Sequence, residues 1–311
     1  MRVLVLFTYG YSLKSWNESG TLERELSIYK QLNSEKNVSF TFLTYGNESD
    51  ENFNLSRYGI DVVPIYKNIK KSRYKLTNYF QSFLVPFYFK KKLKNIDIIK
   101  QNQLLGSWTA LILKLLLKKP LFLRTGYDMY QFSILDEKSK IIQFMYKLLT
   151  KFSIKFSNLY TVSSNSDLDF LNKKFKINKK LLIRPNWVIP TDYVNLEKRS
   201  ENKILAIGRL EHQKNFQLLI DSFGNKNYQI DIIGNGTMKN TLIELAKKKN
   251  CEVNFIDKKD FTELMETTKN YKYFISTSLF EGNPKSLLDA MSNGCICFVT
   301  DIPNHKEIIK N

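Results

Sequence analysis

Two acidic side chains, Glu281 and Asp289, stand eight positions apart in a segment that runs from Ser276 to Gly294. The stretch before them, Tyr271 to Ile275, is apolar and aromatic and reads as a buried strand. Gly282 permits a turn with unusual φ, Pro284 suits the first turn of a helix, and Gly294 closes that helix. A strand, turn and helix in that order leave unpaired backbone N–H groups at the helix N-terminus, a site for an anionic ligand. Glu281 in the turn and Asp289 in the helix could then hold two ends of one ligand. The plainer reading is a helix start with ordinary acids in its first turns, and the spacing alone leaves the two readings level.

The block resembles the E-x7-E motif of retaining GT-B glycosyltransferases, in particular glycosyltransferase family 4 (glycosyl transferases group 1). The resemblance implies that Glu281 sits by the donor sugar, that the turn amides of Gly282, Asn283 and Pro284 face sugar and phosphate, and that Asp289 binds the ribose. Asp289 departs from the motif, being one methylene shorter than the usual Glu. A second block separates the two readings. Ile204 to Ile207 is a short apolar run ending at Gly208 and Arg209, with Lys214 five residues on and a helical pattern over 216–223. Arginine offers a fork for phosphate oxygens and lysine a point charge. The family's Gly-Arg…Lys motif occupies this place, so the resemblance gives Arg209 and Lys214 the departing diphosphate, without a metal.

Further landmarks fall in the family's order. Pro185 and Asn186 resemble a hinge motif between two domains, with Trp187 where glycine is usual. Tyr228 to Ile233 is a strand that ends in the Gly234–Gly236 turn, which assigns Gly234 to the donor side, and a helix over 238–249 follows. Another strand, Val253 to Ile256, and a helix from Phe261 complete the pattern. In the first half, Arg2–Phe7, Val38–Leu43, Ile96–Ile99, Leu121–Leu123 and Leu159–Val162 read as strands, with helices over 107–118 and 138–155. Alternating strands and helices predict a parallel, doubly wound sheet. Gly20, at the start of a helix expected to be capped by Ser19 or Thr21, would let a phosphate or sugar approach. Arg124 and Asp128 follow a strand, at the edge where open α/β sheets bind ligands. Asp128 is either a base for the acceptor hydroxyl or one half of a structural pair with Arg124, and both readings stand.

Composition agrees with a two-domain enzyme. The chain has 311 residues, 43% of them apolar, enough for two domains at about 150 residues each. No apolar run reaches the roughly 18 residues that a membrane span needs. Three cysteines (Cys251, Cys295, Cys297) and two histidines (His212, His305) make neither a disulfide framework nor a zinc set. Asp167 and Asp169 form a literal D-x-D, but they read as charge at a helix start rather than as a metal site. The formal net charge is +18. From Lys67 to Lys94 there is no acid, and aromatic residues lie between the cations. That mixture favours an anionic lipid surface. RNA is the rival reading, without a recognition motif to support it, and a solvated lysine-rich face is the third.

These readings predict an α/β, GT-B fold of two Rossmann-like doubly wound domains facing a cleft. Residues 1–185 would form the acceptor-side domain, 186–200 a hinge, and 201–311 an incomplete nucleotide-sugar-binding domain whose closing helices are missing. The implied activity is transfer of a hexose-type sugar from a nucleoside-diphosphate sugar to a glycan acceptor, expected to be lipid-linked. It would proceed with retention and without metal or other cofactor, in capsule- or lipopolysaccharide-type polysaccharide synthesis. The expected location is cytoplasmic, peripheral on the inner face of the plasma membrane, with no nucleic-acid partner. The alternatives are a catalytically inactive glycan- or lipid-binding relative and a GT-B nucleotide-sugar epimerase. A Rossmann dehydrogenase is excluded because Phe7 to Ser12 lacks the Gly-rich fingerprint.

Overall fold

A computed structural model describes residues 1–177, 181–189 and 199–309. The chain divides into two compact units, Met1–Arg184 and Pro185–Asn311. In the first unit the order is β1 (Arg2–Leu6), α1 (Leu13–Glu18), α2 (Leu22–Lys36), β2 (Ser39–Thr44), β3 (Ile60–Pro64), α3 (Ile65–Asn68), α4 (Lys75–Phe89), β4 (Ile98–Asn102) and α5 (Ser107–Leu117). It continues through β5 (Leu121–Arg124), α6 (Met129–Leu135), α7 (Lys140–Phe156), β6 (Leu159–Val162), α8 (Asn165–Phe175) and β7 (Leu182–Ile183). The seven strands form one sheet in the order β3-β2-β1-β4-β5-β6-β7, and every pairing in it is parallel. Strand β1 is buried on both faces, with Leu4 and Leu6 in one apolar cluster and Val3 and Val5 in the other. This two-sided burial is why the strand reads as an unbroken apolar run instead of an alternating one.

The second unit runs β8 (Ser200–Ile207), α9 (Phe216–Phe223), β9 (Gln229–Ile233), α10 (Lys239–Lys248), β10 (Glu252–Ile256), α11 (Phe261–Thr268), β11 (Tyr271–Ser276), α12 (Lys285–Ser292), β12 (Ile296–Val299) and α13 (Pro303–Lys306). Its five strands take the order β10-β9-β8-β11-β12, again all parallel. Both units are therefore Rossmann-like, and the fold is α/β of the GT-B type. In each sheet the winding reverses direction beside its first strand, between β1 and β4 and between β8 and β11. Chain loops on either side of such a reversal diverge, so a crevice opens outside the carboxyl ends of the strands. Most of the expected 186–200 hinge falls on residues 190–198, outside the described residues.

Three local expectations change. The helical stretch after β1 is two helices, separated by Gly20 at φ 69°. Thr21 stands at the N-cap of α2 without a side-chain cap bond, so the expected cap does not operate there. Asp128 is the N-cap of α6 and accepts from Gln131 N at 2.7 Å. It has no solvent exposure, and its capping bond favours the structural reading of Asp128 over that of a base. Asp167 likewise lies in the first turn of α8, which Ser164 caps. Arg124 donates instead to the carbonyl of Arg184 at 3.2 Å.

Burial raises the Asp128 carboxyl to about 7, with Asp167 adding repulsion against the pull of the Gln131 N–H. The folded chain therefore holds a proton here that the unfolded chain releases above its ordinary carboxylate pKa. Stability from this group is present below about pH 4 and is lost as pH rises to about 7. Asp128→Asn keeps a cap-competent side chain and removes the titration. The stability difference between wild type and this variant should change by about 1.4 kcal/mol per pH unit across that window. Parallel thermal or urea unfolding of the two proteins from pH 4 to 7 measures it. A difference that stays flat with pH would show that Asp128 does not titrate.

Candidate functional site

In the second unit the loops after β8, β9, β11 and β12 all leave from the carboxyl edge of the sheet. The first two are forced together by glycine. Gly208 N bonds to Ile233 O at 3.0 Å, and Leu210 N to Asn235 O at 3.0 Å. A Cβ on Gly234 would lie 1.9 Å from the Gly208 carbonyl, and one on Gly236 would lie 2.3 Å from that of Leu210. Gly234 also sits at φ 149°, where side chains are rarely tolerated. No other residue type permits this approach of the two loops, which sets where Arg209 begins. Arg209 is exposed, and its guanidinium reaches Gln213 Oε1 at 3.3 Å.

A short 3-10 turn, His212–Lys214, follows and ends at Asn215 in the left-handed region, φ 48°. That turn is pinned to the loop after β11 at three points. Leu279 N donates to Gln213 O at 2.9 Å, Gln213 Nε2 to Phe280 O at 2.8 Å, and Thr277 Oγ1 to Lys214 O at 2.9 Å. The result brings Lys214 against Glu281. Nζ and Oε1 are 2.5 Å apart, with the side chains only 15% and 9% exposed. Ser278 Oγ donates to the same carboxylate oxygen at 2.7 Å. A charge pair so nearly removed from water holds its geometry firmly, because breaking it leaves an uncompensated ion.

Two asparagines shape the turn between Glu281 and α12. Asn186 donates from its backbone N to Asn283 Oδ1 at 2.7 Å and from Nδ2 to Asn283 O at 2.6 Å. Asn304 Nδ2 donates to Gly282 O at 2.6 Å. The expectation for Gly282 is corrected here: the positive-φ glycine of this segment is Gly294, at φ 73°, and not Gly282. The tight path at 282 is held by the bond from Asn304 rather than by a left-handed backbone. Pro284 is the N-cap residue of α12, and Asp289 lies within that helix with 2% exposure.

His305 escapes notice in the sequence. It is fully buried, its Nδ1 lies 2.9 Å from Thr300 O, and its Nε2 has no hydrogen-bond partner. Burial lowers its pKa, and it feels both Glu281 and Lys214 electrostatically. Burial thus disfavours the charged form of a histidine that lies within electrostatic reach of the ion pair. Its scarcity in a chain with two histidines was the signal available. The acceptor-side candidates lie in the first unit. There Gly20 joins α1 to α2, and Arg124 ends β5.

Arg209, Lys214, Glu281, Gly208 and Gly234 thus share the carboxyl edge of one sheet, on either side of its β8/β11 reversal, and Asp289 lies inside α12, the helix that follows. Such an edge can take a ligand with an anionic centre, cations at one side and acids that accept from hydroxyl groups at the other. Comparison with known proteins points the same way. Residues 191–311 match the family model for Glycosyl transferases group 1. The capsular polysaccharide biosynthesis glycosyltransferase CapH of Staphylococcus aureus is 25% identical over 94% of this chain and 81% of its own. A second relative, from Campylobacter jejuni, is the N-acetylgalactosamine-N,N'-diacetylbacillosaminyl-diphospho-undecaprenol 4-alpha-N-acetylgalactosaminyltransferase, 26% identical over 54% of this chain and 48% of its own. Among solved structures, Anabaena HepE in complex with UDP superposes with a TM-score of 0.69 at 13% identity, covering 100% of this chain and 84% of that one. The family model and the named relatives agree on one activity class, that of a glycosyltransferase.

The ion pair generates a stability test. Lys214→Met or Glu281→Gln alone should destabilise the second unit by roughly 3 kcal/mol, while the double variant should lose clearly less than the sum. Hydrogen exchange of amides in β8 and β11, read for the four proteins, gives the coupling. Strict additivity would mean that the two side chains do not depend on each other.

Proposed function

We propose that this chain transfers a hexose-type sugar from a nucleoside-diphosphate sugar to a lipid-linked glycan acceptor, with retention and without a metal ion, during synthesis of a surface polysaccharide. The observation that carries the reading is the Lys214–Glu281 pair at the β8/β11 reversal, inside a segment that matches the glycosyl transferases group 1 model. In the reaction the bond between the anomeric carbon and the diphosphate oxygen breaks as the acceptor oxygen bonds to that carbon. Negative charge grows on the diphosphate, and catalysis consists of placing fixed positive charge where it grows. Arg209, exposed beside Gln213, supplies a fork, and Lys214 supplies a point charge from the opposite end of the same loop. The N-terminus of α12, after Pro284, adds backbone N–H groups.

Glu281 serves the sugar. Ser278 and Lys214 hold its carboxylate at Oε1, which leaves Oε2 to accept from a sugar hydroxyl. Asp289 serves the ribose. Gly208 and Gly234 let phosphate approach the backbone, and Gly282, Asn283 and Pro284 form the turn around the sugar. Support for a lipid-linked acceptor comes from the Campylobacter relative, whose name specifies a diphospho-undecaprenol substrate. Support for a surface polysaccharide comes from the capsular relative. The proposed place of action is the cytoplasmic face of the membrane, where such an acceptor is held.

Three measurements test the reading. Arg209→Ala should lower kcat/KM by about 100-fold or more, the size of effect seen when one preorganised charge partner is lost. Turnover should survive EDTA, and its loss on chelation would overturn the metal-free mechanism. Asp289→Asn should weaken binding of free nucleoside diphosphate, whereas Glu281→Gln should abolish transfer with much less effect on that binding. Equal nucleotide affinity in wild type and both variants would refute the ribose assignment. A thermal-shift screen of nucleotide sugars identifies the donor, since one present at about 100 times its Kd stabilises by about 2.7 kcal/mol.

A further inference from the structure

A surface helix of a soluble domain turns its apolar stripe inward. In the first unit α7 does the reverse. Ile141, Phe144, Met145, Leu148, Phe152 and Phe156 are all exposed, Ile141 at 73% and Phe144 at 59%. Spacings of three, four and seven place them on one face. The opposite face, against the domain, carries fully buried Thr150 and Ser153, and Ser153 Oγ donates to Ser107 Oγ of α5 at 3.0 Å. An exposed apolar stripe recurs on α4. There Leu76, Phe80, Leu84, Phe87 and Tyr88 face outward, Phe80 at 61% and Tyr88 at 66%, while Asn78, Ser82, Val85, Pro86 and Phe89 are buried. Ser82 accepts from Trp108 Nε1 of α5 at 2.8 Å. Helix α5 packs against both α4 and α7 and presents Leu115, 74% exposed. The three helices thus build one outer surface that carries a broad set of exposed apolar side chains.

Charge says what covers it. Residues 75–94, 107–119 and 140–156 contain no Asp or Glu. Lysines rim the apolar stripe: Lys140, Lys147 and Lys151 run along one edge of α7 with Lys155 near its end, and Lys90, Lys91, Lys92 and Lys94 follow α4. Lysines placed this way reach from an apolar bed to an anionic layer above it. A second copy of this face would bring like charges together. Among the described residues no helix is long and apolar enough to cross a membrane, so the surface lies on a bilayer and does not span it.

We infer that the outer face of α4, α5 and α7 is a docking surface for an anionic phospholipid bilayer, with the apolar side chains seated among the acyl chains and the lysines at the headgroups. The inference rests on the proposed action at a lipid-linked acceptor and adds the face that brings the enzyme to it. It also shifts the expected attachment from a basic stretch at 67–94 to an apolar face in which α7 has an equal part.

The test is sedimentation of the full chain with phosphatidylglycerol vesicles and with phosphatidylcholine vesicles, alongside the double variant Phe144→Glu, Phe152→Glu. Both side chains are exposed, so the fold does not depend on them. Wild type should pellet with phosphatidylglycerol vesicles and keep part of that binding at high salt, because screening weakens the lysines and not the apolar contacts. The double variant should partition about tenfold or more weakly. Phe152→Trp, in vesicles carrying a quencher on the acyl chain, should lose emission. Wild type that stays in the supernatant, or a double variant that binds as well as wild type, would overturn the inference. So would a lipid-free wild-type dimer that the double variant dissociates, which would make the face a contact between copies. Vesicle binding without donor turnover would support the face and refute the enzymatic reading. Turnover on a soluble acceptor without vesicle binding would do the opposite.

Discussion

The Lys214–Glu281 pair is the constraint around which the second unit is arranged. The two residues are 67 positions apart and arrive on loops from either side of the sheet's reversal. Neither ion tolerates burial alone, so each loop is held where the other needs it. Everything near the pair serves that meeting. Gly208 and Gly234 allow two backbones to touch, Gln213 and Thr277 lace the loops with hydrogen bonds, and Asn186 and Asn304 fix the turn that carries Glu281. The proposed chemistry would draw on the same arrangement. Charges that are already oriented and partly stripped of water would need little rearrangement as a diphosphate leaves.

The first unit shares the winding but uses its surface otherwise. Its sheet is buried on both faces by apolar clusters, so the strand layer needs nothing further for its core. Some helices covering that sheet also place polar groups inward, serine against serine and serine against tryptophan, and leave several apolar and aromatic side chains exposed. In the proposed reading the two units divide the labour, one for the nucleotide and the other for the surface that displays the acceptor.

Much of this was legible in the sequence, for definite reasons. Strands such as Leu159–Val162 and Gln229–Ile233 are short apolar runs ended by glycine or serine, and parallel strands buried on both sides leave no other pattern. The blocks around Gly208 and Glu281 were readable because turn glycine, cation and acid occur at fixed offsets. Strand Ile60–Pro64 was not foreseen, since it follows two 3-10 turns and ends in proline. The roles of Asn186, Asn304 and His305 were hidden too, because a single polar residue carries no period and its partner lies far along the chain. The pattern read 138–155 as a helix, but it cannot say which side faces the core. That depends on what the neighbouring helix offers, here Ser107.

The outward aromatic faces of α4 and α7 also bear on how the chain reaches its native state. A helix normally docks because its apolar stripe is the cheapest thing to hide. Here a second apolar stripe is left over after docking, while attachment to α5 combines apolar packing with directional bonds such as Trp108 to Ser82. During refolding from denaturant the phenylalanines of α7 compete for any apolar partner, including those of other molecules. Yield should accordingly fall with protein concentration and recover when mild detergent or lipid is present as the chain collapses.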